Sequence, residues 1–301
     1  MPGFPSWDVL TSSVRGASHI RGNKPCQDAV NYIHEDVDGT ETIVLAISDG
    51  HGSPKSFRSD IGSRLAVNLA TSVIADFLSA NRKLSHARIR DSAHRLLTTE
   101  LVRVWMSAVE THLKCNPFTE QELASLEHEA GASARESILV GNGLIVYGAT
   151  LLIVTITPDY TFYLQLGDGD IVLVNSEGAT ERAIEADPLL IANETTSLCQ
   201  KDAAKNFRFR FQNTQNGAPK LIFASTDGYA NSFSSESDFL KVGADLLVMA
   251  KEAGVEEIEK GLDEWLSQAS NEGSGDDVTL GIVIQSSDDL ASSHSDVMER
   301  K

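Results

Sequence analysis

Cationic side chains are scarce in this chain: 25 lysines and arginines stand against 43 aspartates and glutamates over 301 residues, a formal charge of −18. Such a field repels phosphate backbones and anionic lipid, so neither nucleic acid nor a membrane surface is an expected partner. Cysteine is scarce too. Cys26, Cys115 and Cys199 are odd in number, far apart and in no Cys-x-x-Cys arrangement, which suggests neither a disulfide framework nor a thiolate zinc site. All three are expected to be reduced. No apolar run reaches the roughly 18 residues that span a bilayer. The first residues, with Pro2, Pro5, Trp7 and Asp8, lack a charged-then-apolar signal region. A soluble, cytoplasmic, monomeric protein is expected, and no internal repeat is visible.

What is present is enough apolar sequence, 41% of residues with 23% charged, for one large core. Short apolar runs bounded by turn residues predict buried strands at 43–47, 144–156, 162–166, 171–174, 221–224 and 278–284. Phe207, Phe209 and Phe211 alternate with Arg208 and Arg210, a strand whose arginine face is expected in solvent. Helical stripes run through Ile61, Leu65, Leu69, Val73 and Phe77, then Leu97, Leu101, Val104, Trp105 and Ala108. Two more follow near the end, through Phe239, Leu246, Leu247 and Ala250, and through Ile258, Leu262, Trp265, Leu266 and Ala269. This order lacks the βαβ alternation of a doubly wound parallel sheet and favours an α+β layered fold.

Two stretches read as excursions from the core. Residues 116–142 are rich in glutamate and predict a loop with a short helix; residues 176–206 predict a flap or surface insert. A single domain over 1–285 is therefore expected, followed by a polar, frayed tail over 286–301.

The chemistry lies in a pattern repeated where strands end: Ser48-Asp49-Gly50, Gly167-Asp168-Gly169 and Thr226-Asp227-Gly228. A fourth acidic pair, Asp276-Asp277, stands just before the closing strand, where an antiparallel neighbour could bring it to the same sheet end. Carboxylates gathered in one place raise one another's pKa unless a cation neutralises them. Asp-Gly is also a common hairpin signal, and that alternative is strongest at Asp168, which sits directly between two strand-like runs. At Asp49 and Asp227 the chain heads for a helix, where a hairpin is not expected. The oxygen-only set, without His-Glu-x-x-His or paired cysteines, suits Mg²⁺ or Mn²⁺ better than zinc. It also lacks the spacing of an EF-hand loop. His51, in Asp49-Gly50-His51-Gly52, is placed to act as a general acid, with a surface histidine in a flexible turn as the alternative. His19 and His34 have no assigned role at this level.

These motifs, with Gln27-Asp28, Gly148-Ala149-Thr150-Leu151 and Asp276-Asp277-Val278-Thr279 in the same order, resemble those of the PPM-type, or type 2C, metal-dependent protein serine/threonine phosphatases. The resemblance covers most of the chain. It implies a four-layer αββα sandwich of two antiparallel β-sheets flanked by helix pairs, with a two-metal centre at one end. By position, it implies that Asp49 bridges two Mn²⁺ or Mg²⁺ ions, that the Gly50 carbonyl reaches one, and that Asp227 and Asp276 complete the other. Asp28 is implied to hold metal-bound water, and Asp168 to serve a third, weaker ion. Residues 176–206 fall where the family carries its flap. Two ions ~3.5–4 Å apart that share a water would aim it at phosphorus directly. His51 would then protonate the leaving serine or threonine alkoxide. A phosphorylated protein is the implied substrate.

Two departures stand in the family's Arg-x-x-x-Glu-Asp segment, which here reads Asn23-Lys24-Pro25-Cys26-Gln27-Asp28. Asn23 cannot grip a phosphate bidentately and Gln27 brings no charge to a metal. Lys24, Arg21 or Arg15, by nearness in sequence, are the candidates to hold the substrate phosphate instead. The departures keep two other readings open: a pseudophosphatase that binds without turnover, and a hydrolase of small phosphate esters.

Overall fold

The computed structural model describes residues 6–141, 143–185, 195–214 and 218–286. Its strands are β1 (Trp7–Val14), β2 (Ala29–Asp36), β3 (Glu41–Ser48), β4 (Leu151–Ile156), β5 (Tyr160–Leu166), β6 (Asp170–Val174), β7 (Thr180–Arg182), β8 (Arg208–Asn213), β9 (Leu221–Ser225) and β10 (Val278–Gln285). They form two antiparallel sheets, in the orders β1-β10-β9-β6-β7 and β2-β3-β4-β5-β8.

The near-continuous apolar runs follow from burial on both strand faces. In β3, Ile43, Leu45 and Ile47 meet Leu152, Val154, Ile222 and Ala224 between the sheets, while Val44 and Ala46 face the helical layer. That layer is α2 (Ser59–Asn81) and α4 (Thr98–Cys115), joined through α3 (His86–Ser92) and a π-helical turn at Ala93–Leu97. By length and hydropathy α2 is apolar enough to cross a bilayer, but its stripe of Ala66, Val67, Ala70 and Ile74 is buried in this core. On the opposite side, α9 (Glu236–Ala253) and α10 (Val255–Glu272) pack Phe239, Leu246, Ile258 and Leu262 against β9 and β10. The result is the expected α+β sandwich, two sheets between two helix layers.

Several local expectations need correction. The run 144–156 is not one strand, because Leu144–Tyr147 is a 3₁₀ turn. Leu144, Val146 and Tyr147 are apolar because they are buried under α2, and a short apolar run does not distinguish that from a strand. The 116–142 segment is more ordered than a loop with one short helix: it forms α5 (Glu120–Ala130) and α6 (Ala132–Val140). Thr119 and Glu122 make a reciprocal capping box there, and this T-x-x-E signal was legible in the sequence.

The arginine face of β8 is half-buried rather than left wholly in solvent. Arg208 donates to the carbonyls of Glu185 and Gly167, and Arg210 to that of Ala183 and to the Glu181 carboxylate. Of the 176–206 insert, the described part contains β7 and α7 (Ala203–Asn206), and 186–194 lie outside the described residues, as does the tail beyond Ser286. β1 escaped the sequence reading because its Ser12 and Ser13 look like loop residues. Their hydroxyls are satisfied by Asp263 and Thr279, 251 and 266 positions away. The three cysteines are free.

Candidate metal centre

Antiparallel pairing puts the start of one strand beside the end of the next, and this gathers the acidic motifs. Ala29 pairs with Ser48, so Asp28 and Asp49 meet; Ser225 pairs with both Asp170 and Leu280, so Asp168, Asp227 and Asp276 approach the same edge. Asp49, Asp168 and Asp227 each offer a carboxylate oxygen, and the three oxygens lie within 4.8 Å of one another. The hairpin alternative at Asp168 does not hold. β5 and β6 belong to different sheets, so Gly167–Gly169 is a crossover at the sandwich end, not a turn within one ladder.

Each aspartate is held by a backbone that its neighbours lock. Thr150 binds Asp49 from both directions, its Oγ1 accepting the Asp49 N–H at 2.9 Å and its own N–H reaching the Asp49 carbonyl at 2.8 Å. Gly50 donates its N–H to the Gln27 carbonyl, and a Cβ at Gly50 would stand 2.5 Å from that oxygen. Gly228 is equally confined, since a Cβ there would be 2.1 Å from the Asp277 carbonyl. Substituting either glycine would prise the strand ends apart.

Asp28 is buried, and its Oδ2 accepts the hydroxyls of Thr226 at 2.7 Å and Thr279 at 2.8 Å. The acidic pair divides its work. Asp276 is exposed and is a charged neighbour of Asp49 and Asp227, whereas Asp277 is buried. Asp277 accepts the Gly16 and Gln27 N–H groups, both at 2.6 Å, and a bond at 2.8 Å with His19 Nδ1. His19, unassigned from sequence, is thus a buried residue whose other nitrogen lies 3.8 Å from Asp276. No local signal marks it, because its partners are more than 250 positions away.

His51 is half-buried beside the cluster, with its N–H on the Gly148 carbonyl at 3.0 Å. Burial lowers its pKa, and the Asp168 charge opposes that. Gln27, at the family's glutamate position, uses its amide structurally: Nε2 donates to Ser59 Oγ at 2.7 Å and to the His51 carbonyl at 3.4 Å. Its Oε1 is buried with no hydrogen-bond partner among the described residues. Asn23 takes the left-handed conformation, φ 50°, as the chain leaves α1 (Ala17–Arg21). Lys24, Arg21 and Arg15 are all exposed, and none bonds to the acidic cluster.

The electrostatics fit a cation. Burial first, then Asp28, Asp227, Asp168 and Asp276, push Asp49 well above the usual carboxylate range. Burial and the neighbouring Asp168 and Asp276 raise Asp227 to about 6. Burial raises Asp28 to about 8, against the hydrogen bonds of Thr226 and Thr279. Three convergent oxygens with this mutual repulsion are a donor set for a hard divalent ion, which removes the repulsion on binding.

The family model "Protein phosphatase 2C" matches residues 15–267. Among solved structures, a bacterial serine phosphatase is 12% identical with a TM-score of 0.58, covering 93% of this chain and 98% of that one. The serine/threonine phosphatase of S. agalactiae is 16% identical with a TM-score of 0.55 over 93% and 99%. Stp1 from Staphylococcus aureus is 14% identical with a TM-score of 0.57 over 94% and 97%. No curated protein matches. At such identities the structures show a shared fold, while the family match spans most of the sequence. The chain belongs to the protein phosphatase 2C family, whose members depend on metal ions.

Proposed function

We propose that this protein hydrolyses phosphoserine and phosphothreonine in phosphorylated proteins with the help of Mn²⁺ or Mg²⁺. The observation that carries the reading is the convergence of Asp49, Asp168 and Asp227 from three strand ends, two in one sheet and one in the other. Asp49, Asp227 and Asp276, with the Gly50 carbonyl, would hold the principal ions, and Asp168 a further one. A divalent ion held there would supply positive charge to the phosphoryl oxygens and lower the pKa of a bound water.

The protein's own groups do the rest. Asp28, anchored by two threonine hydroxyls on Oδ2, keeps Oδ1 to orient a water molecule. His51 holds the proton that the departing alkoxide needs, and its burial makes the ring a readier proton donor once charged. No phosphoenzyme is required.

A second reading, a phosphoprotein-binding domain without turnover, is favoured by Asn23, whose amide cannot grip a phosphate bidentately, and by Gln27, whose uncharged side chain is engaged with Ser59. Release of phosphate from phosphopeptides with and without Mn²⁺ separates the two. Asp49→Asn or Asp227→Asn is expected to lower the metal-dependent rate on the order of 100-fold. An unaltered chain that binds phosphopeptide but releases no phosphate selects the binding domain, and variants that keep full activity remove the assigned centre.

A further inference from the structure

Directly beside His51 the chain forms a cleft of about 300 Å³ whose near wall is the Lys24–Gln27 segment and the Gly52–Phe57 turn, and whose far wall is α5. Its Gln27 end adjoins the metal centre, because Gln27 donates to the His51 carbonyl and accepts from Gly50. Gly52 leaves that end open. Beyond its chain neighbours, a Cβ at Gly52 would find only the unpartnered Gln27 Oε1, at 3.9 Å.

The α5 wall is rigid for an identifiable reason. Arg58, buried at the start of α2, is bidentate to Glu122 at 2.7 and 2.8 Å and donates to the carbonyls of Asn116 and Pro117 and to the Tyr147 hydroxyl. One arginine therefore ties the α5 hairpin to the turn that follows His51. With Glu122 held, Ser125, Leu126 and Glu129 fall on the same helix face at the 3–4 residue spacing and line the cleft.

Charge distinguishes the two walls. Glu122 is neutralised by Arg58, and on α5 Glu120 and Glu127 are both paired with Arg135. Glu129 is exposed and makes no hydrogen bond or ion pair among the described residues, so the α5 wall carries a free negative charge, while the exposed Lys24 puts a cation on the near wall, toward the metal centre. Pro25, Pro54 and Phe57 give the cleft apolar sides, and its size suits a short stretch of peptide.

Resting on the phosphatase reading above, we propose that this cleft binds the substrate polypeptide next to its phosphorylated residue and selects for a basic side chain there, through Glu129. The preference belongs to the α5 wall and not to the metal centre.

The test uses the full chain with Mn²⁺ and three substrates: a phosphoserine peptide flanked by arginines, the same peptide flanked by glutamates, and an activated aryl phosphate. Glu129→Lys is expected to lower kcat/KM for the arginine peptide roughly fivefold and to raise it for the glutamate peptide. Turnover of the aryl phosphate, which does not reach α5, stays the same. Ser125→Trp, which fills the cleft, is expected to depress both peptides and spare the aryl phosphate. Equal responses of the two peptides to Glu129→Lys, or peptides indifferent to both variants, overturn the cleft assignment and leave the hydrolase reading standing. Failure of the unaltered chain to turn over any of the three overturns the hydrolase reading and the cleft with it.

Discussion

The Thr226 hydroxyl donates to Asp28 Oδ2 at 2.7 Å, joining residues 198 positions apart across the sandwich. The same oxygen of Thr226 accepts the Thr279 N–H at 3.0 Å. One hydroxyl thus fixes a buried carboxylate and closes the junction between β9 and β10. Thr226→Val keeps the shape and removes both bonds, and is expected to cost about 1–3 kcal/mol in urea unfolding. A loss within error would show that the junction holds without it.

Asp276 and Asp277 are neighbours with opposite surroundings. Asp277→Ala strips three buried donors of their acceptor and is expected to destabilise the metal-free protein by about 3 kcal/mol or more. Asp276→Ala, at an exposed site, is expected to leave the metal-free melting temperature nearly unchanged and to shrink the rise produced by added Mn²⁺. Thermal unfolding of both variants, with and without the ion, checks this; similar behaviour of the two would contradict the division.

His51→Ala is expected to slow phosphopeptide hydrolysis on the order of 100-fold and to affect an activated aryl phosphate much less, since that leaving group needs little protonation. Equal losses would argue against proton donation from this ring.

Glu122 gives a pH signature outside the centre. Burial raises its carboxyl, but the Arg58 and Thr119 hydrogen bonds outweigh that and hold it at about 2, against 4.5 for a free glutamate. The folded value is the lower one, so the stabilisation is complete above about pH 4.5 and disappears as pH falls toward 2. Glu122→Gln is expected to cost about 1–2 kcal/mol at pH 6, discounted for the solvent that reaches the carboxylate, and nothing near pH 2. A deficit that does not change with pH would place the effect in packing.

The strands of the sandwich interior and the order of layers were legible in sequence, because a segment buried on both faces must be apolar throughout and a helix on a sheet must carry a 3–4 residue stripe. The recurring Asp at strand ends was legible for a related reason: glycine and aspartate punctuate where a ladder stops. Which aspartates meet is a matter of register and sheet membership. Asp168 has the local look of a hairpin, and only the assignment of β5 and β6 to different sheets makes it part of the cluster. Likewise, nothing near His19 or Glu129 in sequence announces a role. A partner more than 250 residues away gives the first its burial and its bond. Ion pairs at Glu120, Glu122 and Glu127 leave the second as the unpaired carboxylate of its helix. Local pattern reports what each segment must hide, and long-range pairing settles which exposed or polar groups end up face to face.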